Sequence, residues 1–449
     1  MNDREFPDGK IRFEIEALGP IRDSIVDFKP FLLFSGESNT GKSYAAMAVY
    51  YLFFMLDNEK IISELTSRLF DIEKIESDLK TKKEVELKLS TEFMDELQRL
   101  YNDNINRFMA YMLGYDNFSC KVKLTLEIPQ ISESKIYISL KKMKDGKYFL
   151  EEELDSSIYN WNLSIPLTVN SKKFDIDIEN DFKYFVRGLY IRIIFDKRYP
   201  NRFLLPPARG AFSGLTSSMW KKFSGIGMYN EFLEGIDSVR FSDFETYEEI
   251  EEQKKIVIPL LEKLLNGKIK VERDNVTYMI SGSDHEIPLT AGSSSVKELF
   301  PLYLLLNRVL IDRLSICIEE PEAHLHPELQ RSAALLLSYI VNQGGFVQVT
   351  THSDFFVNQV NNLLKLHFIK NKDNDRFLEA LKQTGIREAF VLDPEDVGAY
   401  YFEKVKDGVH TRKLVASENG MPMESFKHTY DQSGKETRYL REVLTDHEE

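Results

Sequence analysis

Gly36-Glu37-Ser38-Asn39-Thr40-Gly41-Lys42-Ser43 fits the pattern G-x-x-x-x-G-K-[ST] at every fixed position. It follows the apolar run Phe31 to Phe34 and precedes a helical stretch begun near Lys42, the strand–loop–helix context that the pattern requires. The chemistry is phosphate binding. Gly36 and Gly41 let the loop's backbone N–H groups, Asn39 and Thr40 among them, turn toward phosphate oxygens; Lys42 neutralises β/γ charge, and the Ser43 hydroxyl can join a magnesium shell. ATP with Mg2+ is the ligand these residues suit, and pattern plus context favours nucleotide binding over a chance glycine turn.

Ile316-Cys317-Ile318-Glu319-Glu320 is an apolar strand delivering two acids at its carboxyl end, where open α/β sheets bind ligands. Glu319 would hold magnesium, directly or through water. Glu320 would orient and polarise a water attacking the γ-phosphate. Alone, the pair would equally serve as a strand cap before Pro321; the phosphate loop upstream moves the balance. His352 ends a second apolar strand, Phe346 to Val349, where an imidazole can hydrogen-bond a γ-phosphate or its attacking water. Leu289-Thr290-Ala291-Gly292-Ser293-Ser294-Ser295 opens an apolar helix, and a glycine with hydroxyls at a helix entrance suits an anion, which singles out Ser293 and Ser294. Arg209 follows the short strand Arg202 to Leu205, placed to meet phosphate or to signal occupancy to a neighbouring domain; a plain surface arginine is the other reading. His324 and His326 beside Glu322 match no zinc spacing and read as packing near the site.

These side chains need strands and helices to carry them. Strand-like runs alternate with helical ones from Phe31 to Leu56 and again from Val296 to Val349, which implies a largely parallel α/β sheet. Residues from about Asp57 to Arg107 are rich in Glu, Lys and Leu at helical spacing, and their mixed charge reads as a solvated or partner-binding arm. Between Cys120 and Val169 short alternating runs, with a hairpin turn at Lys144-Asp145-Gly146-Lys147, indicate a small antiparallel sheet. The stretch after about Asp393 is polar and reads as peripheral, with a weak two-strand pattern at Val397 to Lys404 and Thr411 to Ala416.

With 449 residues, 43% of them hydrophobic, the chain has ample material for a large core. Its net charge of −14 argues against coating nucleic acid by overall positive potential, so a DNA contact would need a local basic groove. Two cysteines, Cys120 and Cys317, are too few for a disulfide framework and suit a reducing interior. The longest apolar run, Ala45 to Leu56, is too short to span a bilayer, and a cytoplasmic location with no membrane association is expected.

Together these residues resemble the ABC-like, AAA-family ATPases of the OLD, RecF and Rad50/SMC type, in particular ATPase subunits of bacterial phage-defence systems. The likeness spans the N-terminal quarter and about residues 280–360. Its most specific string is Ile318-Glu319-Glu320-Pro321-Glu322-Ala323-His324-Leu325-His326-Pro327, similar to the extended Walker B and D-loop region of that group. Val349-Thr350-Thr351-His352-Ser353 is similar to its switch-histidine segment. Leu289 to Lys297 resembles the signature motif that such families donate across a dimer, with serines in place of paired glycines, and Arg209 falls in a Pro-Ala-x-Arg-like segment.

The resemblance implies an ABC-type P-loop ATPase head, α/β with a mostly parallel sheet and an antiparallel subdomain, plus a helical insertion. The expected divisions are 1–56 and 201–392 for the two parts of the head, 57–118 for a coiled-coil-like insertion, 119–200 for an antiparallel and helical subdomain, and 393–449 for a C-terminal tail. It implies ATP held between paired heads of a homo-oligomer. Only about a hundred residues follow His352, too short a stretch for an OLD-type nuclease domain, so an effector such as a nuclease would be a separate partner. Two other readings stand beside this one: a RecF- or SMC-like repair ATPase that binds DNA directly, and a scaffold stabilised by nucleotide with negligible turnover.

Overall fold

The computed structural model of the chain describes residues 8–89, 92–127, 135–142, 148–155, 161–166, 178–195, 200–212, 225–241, 248–272 and 275–445, with Phe6, Gly214 and Met219 besides. β1 (Ile11–Leu18) and β2 (Ile21–Asp27) form a hairpin, β3 (Phe31–Gly36) follows, and α1 (Lys42–Asp57) leaves the loop after it. Asn58 ends α1 and caps the next helix, its side chain accepting from the N–H groups of Lys60 and Ile61. Then come α2 (Glu59–Leu69), α3 (Ile72–Lys82), β4 (Glu84–Lys88), α4 (Glu92–Leu113), β5 (Cys120–Leu126), β6 (Lys135–Lys142), β7 (Tyr148–Asp155), β8 (Trp161–Pro166) and α5 (Ile178–Phe195). The chain continues through β9 (Asn201–Leu205), α6 (Gly227–Arg240), α7 (Glu248–Leu265), β10 (Gly267–Glu272), β11 (Asn275–Ile280), β12 (Glu286–Pro288), α8 (Ser294–Arg308) and β13 (Leu314–Glu319). It closes with α9 (Pro327–Asn342), β14 (Phe346–Thr350), α10 (Asp354–Lys372), α11 (Asn374–Thr384), β15 (Val397–Val405), β16 (Gly408–Lys413) and α12 (Glu424–Thr445).

The main sheet has nine strands in the order β5-β1-β2-β16-β15-β3-β14-β13-β9. β15, β3, β14, β13 and β9 run parallel to one another, and β5, β1 and β2 pair antiparallel as a wing, joined to the rest through β16, which pairs parallel with β2 and antiparallel with β15. Residues on a strand alternate between two cores, as the period of two demands. Leu32, Phe34, Cys317, Phe346 and Phe402 face the core that contains α1, α4 and α5, while Phe31, Leu33, Ile316, Ile318, Val347 and Val349 face the core of α6 to α10. Burial on both faces explains the continuous apolar character of β3 and β13, which a one-sided sheet would not need. The result is the expected α/β architecture, largely parallel with an antiparallel part.

Three segments differ from their expectations. The stretch 57–118 is mostly helical, but it also contains β4, which pairs with β6 in a separate four-stranded sheet, β4-β6-β7-β8. β5, expected within that small antiparallel sheet, instead joins the wing of the main sheet against β1. The turn expected at 144–147 lies outside the described residues, though β6 and β7 on either side do pair antiparallel. The C-terminal segment is not peripheral: β15 lies between β16 and β3, with Val397, Ala399, Tyr400 and Phe402 buried. Its strand character is local, but its parallel partner β3 lies far away along the chain, so no short-range pattern could reveal its place.

The register sets the site. Glu319 pairs with Thr350, Thr350 with Phe34, and Phe402 with Gly36, so the carboxyl ends of β13, β14, β3 and β15 stand side by side. In an open parallel sheet that edge is where loops converge on a ligand.

Candidate active site

The loop from Gly36 to Gly41 turns back over the end of β3. Gly36 has φ 133° and lies so close to β15 that a Cβ would sit 2.5 Å from the Phe402 carbonyl oxygen, so any side chain there would strain the backbone and force β15 away. Gly41 takes φ 88° at the entrance of α1, packed on Ile21 of the β1–β2 hairpin. Asn39 is also left-handed, and the buried Thr40 closes the turn by donating its hydroxyl to the Glu37 carbonyl at 2.8 Å.

Lys42 curls into this turn. Its Nζ donates to the Gly36 carbonyl at 3.1 Å and the Glu37 carbonyl at 2.6 Å. Burial lowers the pKa of its ammonium to about 8, opposed by the fields of Glu320, Glu322 and Glu319. A phosphate in the loop would replace these carbonyl partners by a full opposite charge and raise that pKa again.

Ser43, the first-turn residue of α1, donates its hydroxyl to Oε2 of Glu319, which joins two residues 276 positions apart. Glu319 is 4% exposed, and burial raises its pKa to about 7 even though Ser43 donates to it and Arg209 and Lys42 lie near. A hydroxyl and a carboxylate in contact form an oxygen-only pair, the donor set that a hard cation such as Mg2+ takes, and they fit that ion. The expected metal residues, Ser43 and Glu319, are therefore brought together.

Glu320 departs from the strand, with φ 47°, while its N–H still donates to the Thr350 carbonyl at 2.9 Å. Left-handed backbone at a non-glycine residue is strained, and here it turns the second acid away from the sheet and toward His352. The Glu320 Oε1 lies 4.0 Å from the His352 Nε2, with both side chains partly open to solvent. The imidazole is held below its ordinary pKa, first by burial and then by Lys42, while Glu320 and a bond with the Gly36 backbone act in the opposite direction. Lys42, Glu320 and His352 thus converge above the phosphate loop.

Two expectations fall elsewhere. Ser293 and Ser294 stand exposed at the entrance of α8, where Ser293 Oγ caps the Val296 N–H at 3.4 Å and lies 2.9 Å from Ser295 Oγ. No hydrogen bond joins them to the phosphate loop among the described residues, so within one chain they are not part of this cluster. Arg209 needs correction. It is 1% exposed, and its guanidinium donates to the carbonyls of Glu298 at 3.0 Å, Pro206 at 3.2 Å and Glu319 at 2.8 Å, with the Glu298 carboxylate 3.5 Å away. Neither a surface arginine nor one that points at phosphate, it ties the end of β13 to the first turns of α8. The reason is depth: five fixed donors buried this far need several acceptors, and backbone carbonyls supply them.

Two further residues come to the site without having been singled out for it. Glu322, buried within the tight turn after β13, accepts from the Thr351 hydroxyl at 2.6 Å and the His352 N–H at 2.8 Å. Its place in the motif was visible; its partners were not. Lys404 of β15 pairs with Glu37 of the loop at 3.2 Å and lies near enough to Lys42 to help lower its pKa. Nothing in the local sequence marks that lysine. His326 caps α9, its Nδ1 accepting from the Glu328 N–H at 3.4 Å.

Residues 228–357 match the family model of the AAA ATPase domain, a stretch that carries Ser293, Ser294, Glu319, Glu320, Glu322 and His352 but neither the phosphate loop nor Arg209. No curated protein matches the chain. Among solved structures, the chain is similar to an SMC head bound to the C-winged helix domain of ScpA, at 9% identity over 92% of this chain and 98% of that one, TM-score 0.37. The SMC head domain from Thermotoga maritima is similar at 9% identity over 90% and 98%, TM-score 0.32. A Smc head domain with an extended coiled coil, bound to the C-terminal domain of ScpA derived from Pyrococcus furiosus, is similar at 9% identity over 96% and 98%, TM-score 0.32.

Proposed function

We propose that this chain is an ABC-like P-loop ATPase that binds ATP with Mg2+ and hydrolyses it between paired heads. The observation that carries the proposal is the contact of Ser43 with Glu319, because it unites a phosphate loop and a strand-end acid from distant parts of the chain beside Lys42 and Glu320. Bound magnesium would neutralise the β,γ-phosphate oxygens. The loop's N–H groups and Lys42 hold the phosphates, and Glu319 with Ser43 supplies the metal's protein oxygens. Glu320, turned out of the strand, accepts a proton from the attacking water while His352 contacts the γ-phosphate or that water.

Ser293 and Ser294, exposed at the entrance of α8 and joined to their own chain's phosphate loop by no hydrogen bond among the described residues, suit donation to the nucleotide of a second copy, which makes the functional unit a head-to-head dimer. ATP would close that dimer and hydrolysis would reset it, gating a separate effector such as a nuclease in a cytoplasmic defence system. The acidic net charge of −14 disfavours the alternative of heads that bind DNA directly.

The test is turnover of magnesium ATP together with nucleotide-dependent dimerisation. Lys42→Ala should lose binding, and Glu320→Gln should bind ATP within a few-fold of wild type, turn over at least ~100-fold more slowly and accumulate as a dimer. Unchanged turnover in Glu320→Gln would remove it as the base. ATP retained through purification, with no turnover by the wild type, would favour the scaffold reading instead, and stimulation of turnover by duplex DNA would restore the repair reading.

A further inference from the structure

We propose that Glu322 is a positioning residue for hydrolysis: its buried carboxylate braces Thr351 and His352 so that the imidazole faces Glu320. The inference rests on the ATPase reading for its kinetic consequence, but the brace itself is geometric.

The β14 ladder ends at Thr351, whose N–H still donates to the Phe34 carbonyl at 3.0 Å. One residue later the His352 N–H has no strand partner, and Glu322 Oε1 accepts it at 2.8 Å. The same oxygen accepts the Thr351 hydroxyl at 2.6 Å. That hydroxyl oxygen in turn accepts the Ser353 N–H at 3.0 Å, and Ser353 Oγ caps α10 through the Phe356 N–H at 3.1 Å. One carboxylate oxygen thereby sets the whole turn from β14 into α10.

Glu322 is also rigid with respect to the proposed base. The turn after β13 is closed by Ala323 N–H to the Glu320 carbonyl at 3.0 Å and Leu325 N–H to the Glu322 carbonyl at 3.0 Å, with Glu320 and His324 both left-handed. Glu320 and the residue that fixes His352 therefore ride on one tight turn. The separation of 4.0 Å between the Glu320 and His352 side chains is set from both sides by it.

Packing alone does not account for an acid here. Glu322 is 8% exposed, no ion pair reaches it among the described residues, and its Oε2 has no hydrogen-bond partner. A buried carboxyl in that state is costly, and an apolar side chain would fill the space at less expense. What an apolar side chain lacks is the acceptor that Thr351 and His352 share.

The experiment compares wild type with Glu322→Gln, Glu322→Ala, Thr351→Val, His352→Ala and the double variant Glu322→Ala/His352→Ala. Two readouts are taken: ATP turnover, and hydrogen–deuterium exchange over residues 351–353. Loss of the brace should lower kcat about 100-fold in Glu322→Ala, the scale of a misplacement of about 1 Å, with KM and nucleotide affinity within about threefold. Glu322→Gln, which keeps the acceptor oxygen, should recover most of that loss. Adding Glu322→Ala to His352→Ala should cost less than about twofold, since the brace then has nothing to aim. Exchange at 351–353 should quicken at least tenfold in Glu322→Ala and not in Glu322→Gln.

The proposal is overturned if exchange is unaltered in Glu322→Ala, if its kcat stays within threefold of wild type, or if the two alanine effects multiply. Should wild type show no Lys42-dependent turnover while exchange responds as described, the ATPase reading fails and the brace stands. Should Glu322→Ala not fold, Glu322→Met, which fills the space without the shared acceptor, carries the same comparison against Glu322→Gln, with the same expected fall in kcat and faster exchange at 351–353.

Discussion

Replacing Glu319 by Gln separates the cost of burying the acid from its use. In the folded chain burial raises the Glu319 pKa from 4.5 to about 7, so between those values the folded protein keeps a proton that the unfolded chain has released. The folded value is the higher one; the stabilising contribution is therefore complete below about 4.5 and is lost as the pH rises through about 7. A displacement of that size corresponds to about 3 kcal/mol at 1.36 kcal/mol per unit. Gln carries no charge, and its amide oxygen still accepts the Ser43 hydroxyl, so Glu319→Gln escapes the penalty. Without divalent cation it should melt several degrees above wild type at pH 8, given roughly 1–2 °C per kcal/mol for a chain of this size, and the gap should close toward pH 5. Adding Mg2+ with ATP should reverse the order, because only the wild type gains a metal carboxylate and the stability that ligand binding confers. The assay is thermal unfolding of both proteins across pH 5 to 8, with and without magnesium nucleotide. A gap that does not change with pH, or an equal gain from magnesium ATP in both proteins, would refute the reasoning.

Arg209→Met removes donors to three carbonyls and leaves the Glu298 carboxylate buried without its cation, which should cost about 3–5 kcal/mol. A clear fall in the unfolding midpoint, partly recovered by adding Glu298→Gln, is expected; a midpoint equal to wild type would contradict the linkage. Gly36→Ala forces a Cβ to within 2.5 Å of the Phe402 carbonyl oxygen at φ 133°. It should shift β15 against the loop and weaken ATP binding at least tenfold, the equivalent of about 1.4 kcal/mol, and a fluorescent-nucleotide titration showing unchanged affinity would count against that close approach.

Much of the site was legible because its pieces are local. The phosphate loop is a contiguous string whose glycines, lysine and hydroxyl each have a backbone or charge reason to be there, and its flanking strand and helix carry their own periodicity. Glu319, Glu320 and His352 were legible for a similar reason: each follows an apolar strand, and parallel strands present their carboxyl ends at one edge. Arg209 misled because an arginine after a strand looks the same in sequence whether it faces a ligand or the interior. Glu322 stood in plain view, but its acceptor role depends on Thr351 and His352, which reach it from the end of the neighbouring strand β14. The strand pattern of β15 was local, but nothing near it in sequence told of its place beside β3 or of Lys404's at the phosphate loop.

The amino-acid sequence by itself determined the alternation of strands and helices, the turn at Gly36 to Ser43 and the acids at the end of β13, because these depend on neighbours within a few residues. Only the tertiary structure decided that Ser43 meets Glu319, that β15 walls the phosphate loop, that Arg209 is interior and that Glu322 holds the His352 turn. Those outcomes depend on strand register and burial, which arise when segments hundreds of residues apart exclude water together. No short stretch of chain carries that information.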